Sequence, residues 1–364
     1  MQAKKRTVSF GLAAGAFIVL SVVAALAVSA RAQISDYTQR ISFQISTGST
    51  TGTYFPVGNL LAQVLSHPPG VGRCEAANAC GPSGLIVSTR ASQGSVANLL
   101  SVNSGMVSSG LAQTDVVALA VVGQGPFKKV GPAKQLRVIA NLYGEDLHLI
   151  AAKSAKIKSV ADLKGKRVSL STEGSGTNVT ARAVLTAYRL DRAVTPNYDS
   201  AEKAVDLLQA GKLDAMFFVG GIPVNLLQQL LDEDVAVLVP LNGEGLKRLV
   251  AKEPYLTPHT IPKGTYANTP DIETVSVDAL WITDASQPDA LVYGMLKALY
   301  NPLNRPAIQA ERLGSHFMDL ARGATDGNAP LHPGAVRFFM EAGVLKPAQK
   351  AVAPAPVKPT VRKS

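Results

Sequence analysis

The chain has 364 residues, 46% of them hydrophobic, enough for two domains of ordinary size that each bury a core. Its formal charge of +10 suggests a polyanion-binding surface only until the charges are located. Residues 1–32 carry four basic and no acidic side chains, residues 347–364 carry Lys350, Lys358, Arg362 and Lys363 with no acid, and the body between them holds 28 basic against 26 acidic residues, which excludes a nucleic-acid face.

The chain opens with Lys4, Lys5 and Arg6, an uncharged apolar run over 8–30, and Ala30-Arg31-Ala32 as an A-x-A site. This pattern predicts a secretory signal peptide over 1–32. The run is long for such a leader, so an uncleaved membrane anchor is the alternative; both place the remainder outside the cytoplasm, in the periplasm. From Ile41 onward short apolar runs alternate with helical patterns, the signature of βα units around a largely parallel sheet. Strands are expected at 41–47, 85–90, 107–112, 136–143, 147–152, 167–171, 213–219 and 235–239. Helices are expected at 53–65, 94–104, 114–122, 177–189, 200–210, 222–231, 287–300, 302–313 and 333–342.

The first strand breaks at residues 48–53 into Gly48-Ser49-Thr50-Thr51-Gly52-Thr53 and turns directly into a helix beginning near Tyr54. Such a junction points unpartnered backbone N–H groups and the positive end of the helix dipole above the strand end, a place to hold an anion. The turn lacks the lysine of a nucleotide phosphate loop, so a small carboxylate is expected instead. A second junction of the same kind contains Gly174, Ser175, Gly176 and Thr177.

Between the two junctions lie the only cysteines, Cys74 and Cys80, in a Pro- and Gly-rich loop. In an exported chain this close pair reads as a local disulfide stapling an insertion, since further metal ligands are not nearby. Thr89, Ser92, Gln93, Gly94, Ser95 and Asn98 open the next helix, where Gln93 or Ser95 serves equally well as a cap. Gln113 and Asp115 follow another strand, and Asp115 suits a helix start as readily as a ligand. Phe218, Gly220, Gly221 and Pro223 close a later strand. Arg182 fits a salt bridge better than a ligand contact, and His148, inside an apolar strand, fits a hydrogen-bonded core histidine better than a catalyst.

The second half repeats the first in outline, down to a glycine (Gly105, Gly211) after a helix and before a strand. The fold class expected is α/β, a two-lobed periplasmic-binding-protein-like fold of type II. Residues 137–143 continuing through 147–152 carry the chain to the second lobe, and residues 274–283 carry it back. Two such crossings form a hinge. The lobes are then 33–148 with 274–346, and 149–273, with a flexible cationic tail over 347–364. The histidines His67, His148, His259, His316 and His332 show no metal-ligand spacing, and no G-x-S-x-G elbow is present. No catalytic residue, metal or cofactor is assigned.

The motifs Gly48-Ser49-Thr50-Thr51-Gly52-Thr53-Tyr54-Phe55-Pro56-Val57-Gly58, Gly94-Ser95-Val96-Ala97-Asn98, Gln113-Thr114-Asp115-Val116, the stretch 157–169 and Gly174-Ser175-Gly176-Thr177 resemble, in order, the TAXI family of TRAP-transporter solute receptors. The resemblance spans roughly residues 40–345, and the Cys74–Cys80 insertion resembles a branch of that family. It implies a periplasmic receptor that closes on a small organic acid or acidic amino acid, such as glutamate or 2-oxoglutarate. The receptor would deliver it, as a monomer, to TRAP membrane permease subunits driven by an ion gradient. It also implies ligand contacts at Ser49, Thr50, Thr53, Tyr54, Ser95, Gln113, Ser175 and Thr177, to which position alone adds Thr51, Asn98, Gly174, Gly176, Phe218 and Gly220. The sequence departs from the family at Met106 and in its cationic tail, and offers no dedicated ligand-binding arginine. A membrane-anchored sensor module and an exported enzyme using the same cleft are the competing readings.

Overall fold

The computed structural model describes residues 40–69, 74, 76–311, 313 and 317–346. The expected leader and cationic tail lie outside them. Among the described residues no helix is long and apolar enough to cross a membrane.

Strand β1 (Ile41–Ser46) feeds helix α1 (Tyr54–Leu65), and β2 (Leu85–Arg90), α2 (Ser95–Asn103), β3 (Ser109–Gln113) and α3 (Thr114–Val122) follow in strict alternation. β1 pairs in parallel with β2 and with β3. The second half runs β5 (Arg167–Ser169), α4 (Gly176–Ala187), β6 (Thr195–Asn197), α5 (Ala201–Gln209), β7 (Ala215–Gly220), α6 (Asn225–Asp232), β8 (Ala236–Leu238) and α7 (Gly243–Lys252). There β5 pairs in parallel with β6 and β7. β3 and β7 are buried along their whole length because helices cover both faces, as crossover connections require, while the outer strands β2 and β6 keep exposed residues.

Two long strands join these halves. β4 (Leu136–Ala152) pairs with β10 (Ile272–Asp284) along the first part of its length and with β7 and β8 along the second. β10 in turn pairs with β3 at one end and with β9 (Thr257–Ile261) at the other. The expected break between 143 and 147 does not exist: Gly144, Glu145 and Asp146 continue β4, opposite Asp278, Val277 and Ser276. The chain thus crosses twice between two lobes on antiparallel strands, in the sheet order β2-β1-β3-β10-β4-β7-β5-β6. Helices α8 (Asp289–Leu299), α9 (Arg305–Ala310), α10 (Leu320–Gly323) and α11 (Pro333–Glu341) return to the first lobe.

The first lobe has one core on each face of its sheet. On one side α1, α8 and α11 pack over Phe43, Ile45 and Trp281; on the other α2 and α3 pack over Ala112, Val138 and Leu280. The second lobe repeats this, with α4 and α7 against Leu149, Val168 and Phe217, and α5 and α6 against Ile150 and Met216. Gly105 and Gly211 end the equivalent helices at φ 71° and 67°, a backbone region that favours glycine. Cys74 and Cys80 form the expected disulfide. Asn301 and Asn304 clasp its loop, their Nδ2 groups donating to the carbonyls of Ala77, Asn78 and Ala79.

Gly58 sits in the middle of α1 over β1, where a Cβ would lie 2.5 Å from Thr47 Cγ2 and 3.1 Å from Thr89 Cγ2. Thr47 cannot rotate away cheaply, because its hydroxyl donates to the Arg90 carbonyl at 2.9 Å. Alanine at this site gains about 1 kcal/mol of helix propensity but overpacks at a cost of about 1–3 kcal/mol. G58A is therefore expected to lower stability in urea titrations rather than raise it, against the usual effect of Gly→Ala in a helix.

Candidate functional site

Four helix N-termini converge between the lobes. Thr53 and Tyr54 open α1, Gly94 and Ser95 open α2, Ser175, Gly176 and Thr177 open α4, and Ser200 and Ala201 open α5; all nine residues line one cavity of about 160 Å3. At ~30 Å3 per liquid water this is room for about five waters, well short of the ~300 Å3 at which drug-sized ligand pockets begin. Each helix start contributes N–H groups that have no partner within the helix, and together the dipole ends make the wall electropositive without any lysine or arginine.

Most of the side-chain hydroxyls in this wall are already engaged. Ser175 Oγ caps α4 by accepting from Asn178 N–H at 3.1 Å and donates to the Thr172 carbonyl. Thr177 Oγ1 accepts from Val219 N–H at 3.1 Å, tying α4 to β7. Ser95 Oγ accepts from Gln113 N–H at 3.1 Å. These groups shape the wall, and some donors of the helix starts are engaged too, Asn178 N–H by Ser175, Lys203 N–H by Ser200 and Ala97 N–H by the Gly174 carbonyl. Ser171, just beyond β5, also lines the cavity at φ 64°, in the left-handed region that a non-glycine residue occupies at a cost.

The structure brings Ser49, Thr53, Tyr54, Ser95, Gln113, Ser175, Gly176, Thr177 and Phe218 together around the cavity. It places the other expected residues around it in supporting positions. Asn98 is fully buried in the frame of the first lobe: its Nδ2 donates to the carbonyls of Thr47 and Leu111, and its Oδ1 accepts from Ser46 and Ser92. Thr50 is exposed. Thr51 donates to Glu202 on α5, as does Ser49, so these two hydroxyls link the rims of the two lobes. The Gly174 carbonyl accepts from Ala97 N–H at 3.0 Å, also across the lobes. Gly220 backs Phe218. Asp115 is neither a free helix charge nor a cavity residue; it accepts from Thr180 Oγ1 of α4 at 3.0 Å, and burial pushes it up to about 6. Arg182 lies over the Tyr198 ring and near Glu173. His148 is a core histidine, bonded to Asp146 O and Tyr266 Oη, and burial pushes it down to about 4.

Sequence reasoning passed over the one acid in the wall. Glu145 lies where β4 crosses between the lobes, 1% exposed. Its two oxygens accept from Thr53 Oγ1 at 3.3 Å and from Tyr54 Oη at 2.8 Å. Burial pushes Glu145 up to about 8, which its two hydroxyl donors oppose and nearby Asp115 and Asp146 reinforce. Asp146 is held by His259. The signal for Glu145 was an acid flanked by two apolar runs at a lobe crossing. Gln113 adds a second unsaturated group: its Oε1 is buried without a hydrogen-bond partner among the described residues.

A profile described as the NMT1-like family matches residues 45–343. The chain belongs to the NMT1-like family. Solved structures similar to this NMT1-like protein include the periplasmic binding protein BugD, with 12% identity, 84% of this chain and 94% of that one covered, and a TM-score of 0.50. They also include MatC from Rhodopseudomonas palustris with bound malate, at 12% identity, 74% and 87% coverage and a TM-score of 0.48. The alkanesulfonate-binding protein SsuA from Xanthomonas axonopodis pv. citri bound to MOPS follows at 16% identity, 84% and 92% coverage and a TM-score of 0.41. The likeness to BugD shows the fold, the two-lobed periplasmic-binding-protein type.

Because the fold raises the Glu145 carboxyl from an ordinary value of 4.5 to about 8, it favours the neutral form. The stabilisation is complete below pH ~4.5 and is lost as pH climbs through about 8, at up to ~1.4 kcal/mol per pH unit. E145Q should therefore lose less stability than the parent protein between pH 5 and 8 in ligand-free thermal melts. Parallel curves for the two proteins would show that Glu145 is not held neutral.

Proposed function

We propose that this NMT1-like protein is an extracytoplasmic solute-binding receptor of a TRAP-type secondary transporter of the TAXI kind. It captures a small organic acid or acidic amino acid between lobes formed by 33–148 with 274–346 and by 149–273, and hands it to membrane permease subunits. The observation that carries this reading is the convergence of four helix N-termini on one small cavity between lobes. A carboxylate there accepts hydrogen bonds from backbone donors whose dipoles are already aligned, so no arginine is needed. Two strands that pass between the lobes supply the hinge for opening and closing.

Among the described residues no histidine or cysteine lines the wall. The hydroxyls of Ser95 and Ser175 contact carbonyl and amide groups of the frame, Ser49 is engaged by Glu202 at the rim, and His148 sits against Tyr266. The chemistry favoured is reversible capture.

A thermal-shift screen of mono- and dicarboxylates and acidic amino acids tests this. A ligand at a hundred times its Kd should stabilise by about 2.7 kcal/mol. A melting temperature that stays constant across the screen would sink the receptor reading. The lobes should also meet too closely for a larger residue at Gly176, where a Cβ would fall 1.8 Å from Gln113 Oε1 and 2.7 Å from Ser95 Oγ. G176A is expected to keep its fold by circular dichroism yet lose at least ~tenfold in ligand affinity by calorimetry, because overpacking opposes closure.

A further inference from the structure

We propose that Glu145 selects a zwitterionic ligand, so that the preferred solute is an α-amino acid whose ammonium group binds Glu145 while its carboxylate binds the helix N-termini. The inference rests on the receptor reading and narrows its ligand class.

The argument starts from the mismatch between the wall and its single acid. Four helix starts favour negative charge in the cavity, yet the one carboxyl among the described residues lining it is one that burial disfavours ionising. A ligand bearing carboxylates alone would place further negative charge beside Glu145 and hold it neutral. Its local wiring points the other way. Tyr54 Oη and Thr53 Oγ1 each donate to a different oxygen of Glu145, so both oxygens are arranged as acceptors. Among the described residues, this arrangement lacks a cation. The groups facing Glu145 are the hydroxyls of Thr53, Tyr54 and Tyr143, with the carboxyls of Asp115 and Asp146 farther off, and none supplies positive charge.

An ammonium group would supply it and carries three donors. Glu145 takes one, and Gln113 Oε1, a buried acceptor of another residue lining the cavity and without a partner among the described residues, is the acceptor left for another. In a site from which water is excluded, an opposite charge in contact reverses the effect of burial and draws the carboxyl into its ionised form. A 2-oxo acid of the same skeleton offers neither positive charge nor donors at that carbon, so it leaves Glu145 without a counter-charge and Gln113 Oε1 without a donor.

The test is calorimetric titration of the full mature chain with a panel of α-amino acids and, for each, the 2-oxo acid of the same carbon skeleton. The amino acid should bind at least ~tenfold more tightly than its oxo counterpart, the discrimination expected of a charged hydrogen bond. E145Q should weaken amino-acid binding at least ~tenfold while changing oxo-acid binding less than ~threefold. E145D retains the charge and should recover part of the selectivity. Oxo acids binding as tightly as amino acids, or an E145Q protein that keeps the parent's preference, would overturn the inference and leave the receptor reading standing. Failure of both panels to bind would overturn the two together.

Discussion

The ladder between β4 and β10 is the constraint on which the rest of the molecule depends. Both strands are too long to belong to one lobe, and each pairs with different partners along its two ends. Their hydrogen bonds hold the crossing in register and make it, among the described residues, the one sheet connection between the parallel sets. Side chains alternate along this ladder, so a residue at the crossing faces either the cleft or its back. Glu145 faces the cleft and Asp146 the other side, where His259 of β9 meets it. The position of the acid therefore follows from strand register, and its environment follows from the helix starts that close over it.

The wall shows a division of labour. Hydroxyls of Ser95, Ser175 and Thr177 satisfy backbone groups and fix the helix starts around the cavity. Small residues permit the close approach: any side chain at Gly174 or Gly176 would collide with Gln93 or Gln113 across the cleft. Under the proposed receptor reading, recognition by backbone would make the site tolerant of which Ser or Thr stands nearby and would leave discrimination to the few side chains that differ in charge or valence.

Much of this was readable in the sequence. The alternation of apolar runs and helical patterns located the parallel strands and their helices to within a few residues, and the Gly/Ser/Thr junctions marked two of the four helix starts that line the cavity. Thr195–Asn197, Thr257–Ile261 and Gly243–Lys252 were not recognised, because two are short exposed strands and the third is a strongly polar helix beginning Gly-Glu-Gly. A single helix expected over 302–313 is a 3-10 turn at Pro302–Asn304 followed by a short helix, with Pro302 and Pro306 breaking it up. Glu145 was missed for a deeper reason. Its neighbours Gly144 and Asp146 look like a break between strands, and the contacts that bury it come from Thr53 and Tyr54, more than ninety positions away. Periodicity reports a segment's own faces; it cannot report which distant segment will cover a polar residue. Asn98 is the converse case, a polar residue at a helix start whose four bonds all go to the frame.

The placement of β10 has a consequence for how the chain acquires its fold. This strand fills the slot between β3 and β4, yet it lies more than 150 residues after β3 in the chain. Until it arrives, β3 presents an unpaired edge and Trp281 is missing from the core over Phe43. The second lobe, by contrast, is built from one continuous stretch that runs from the second half of β4 to the start of β10, and can assemble without waiting for a segment from beyond it. Loop-closure entropy therefore falls on the first lobe, which is slow to complete although it begins first. A chain emerging N-terminus first stays incompletely folded until its last quarter is available, a delay that keeps it threadable and also keeps a hydrophobic sheet edge open to chaperones and to aggregation.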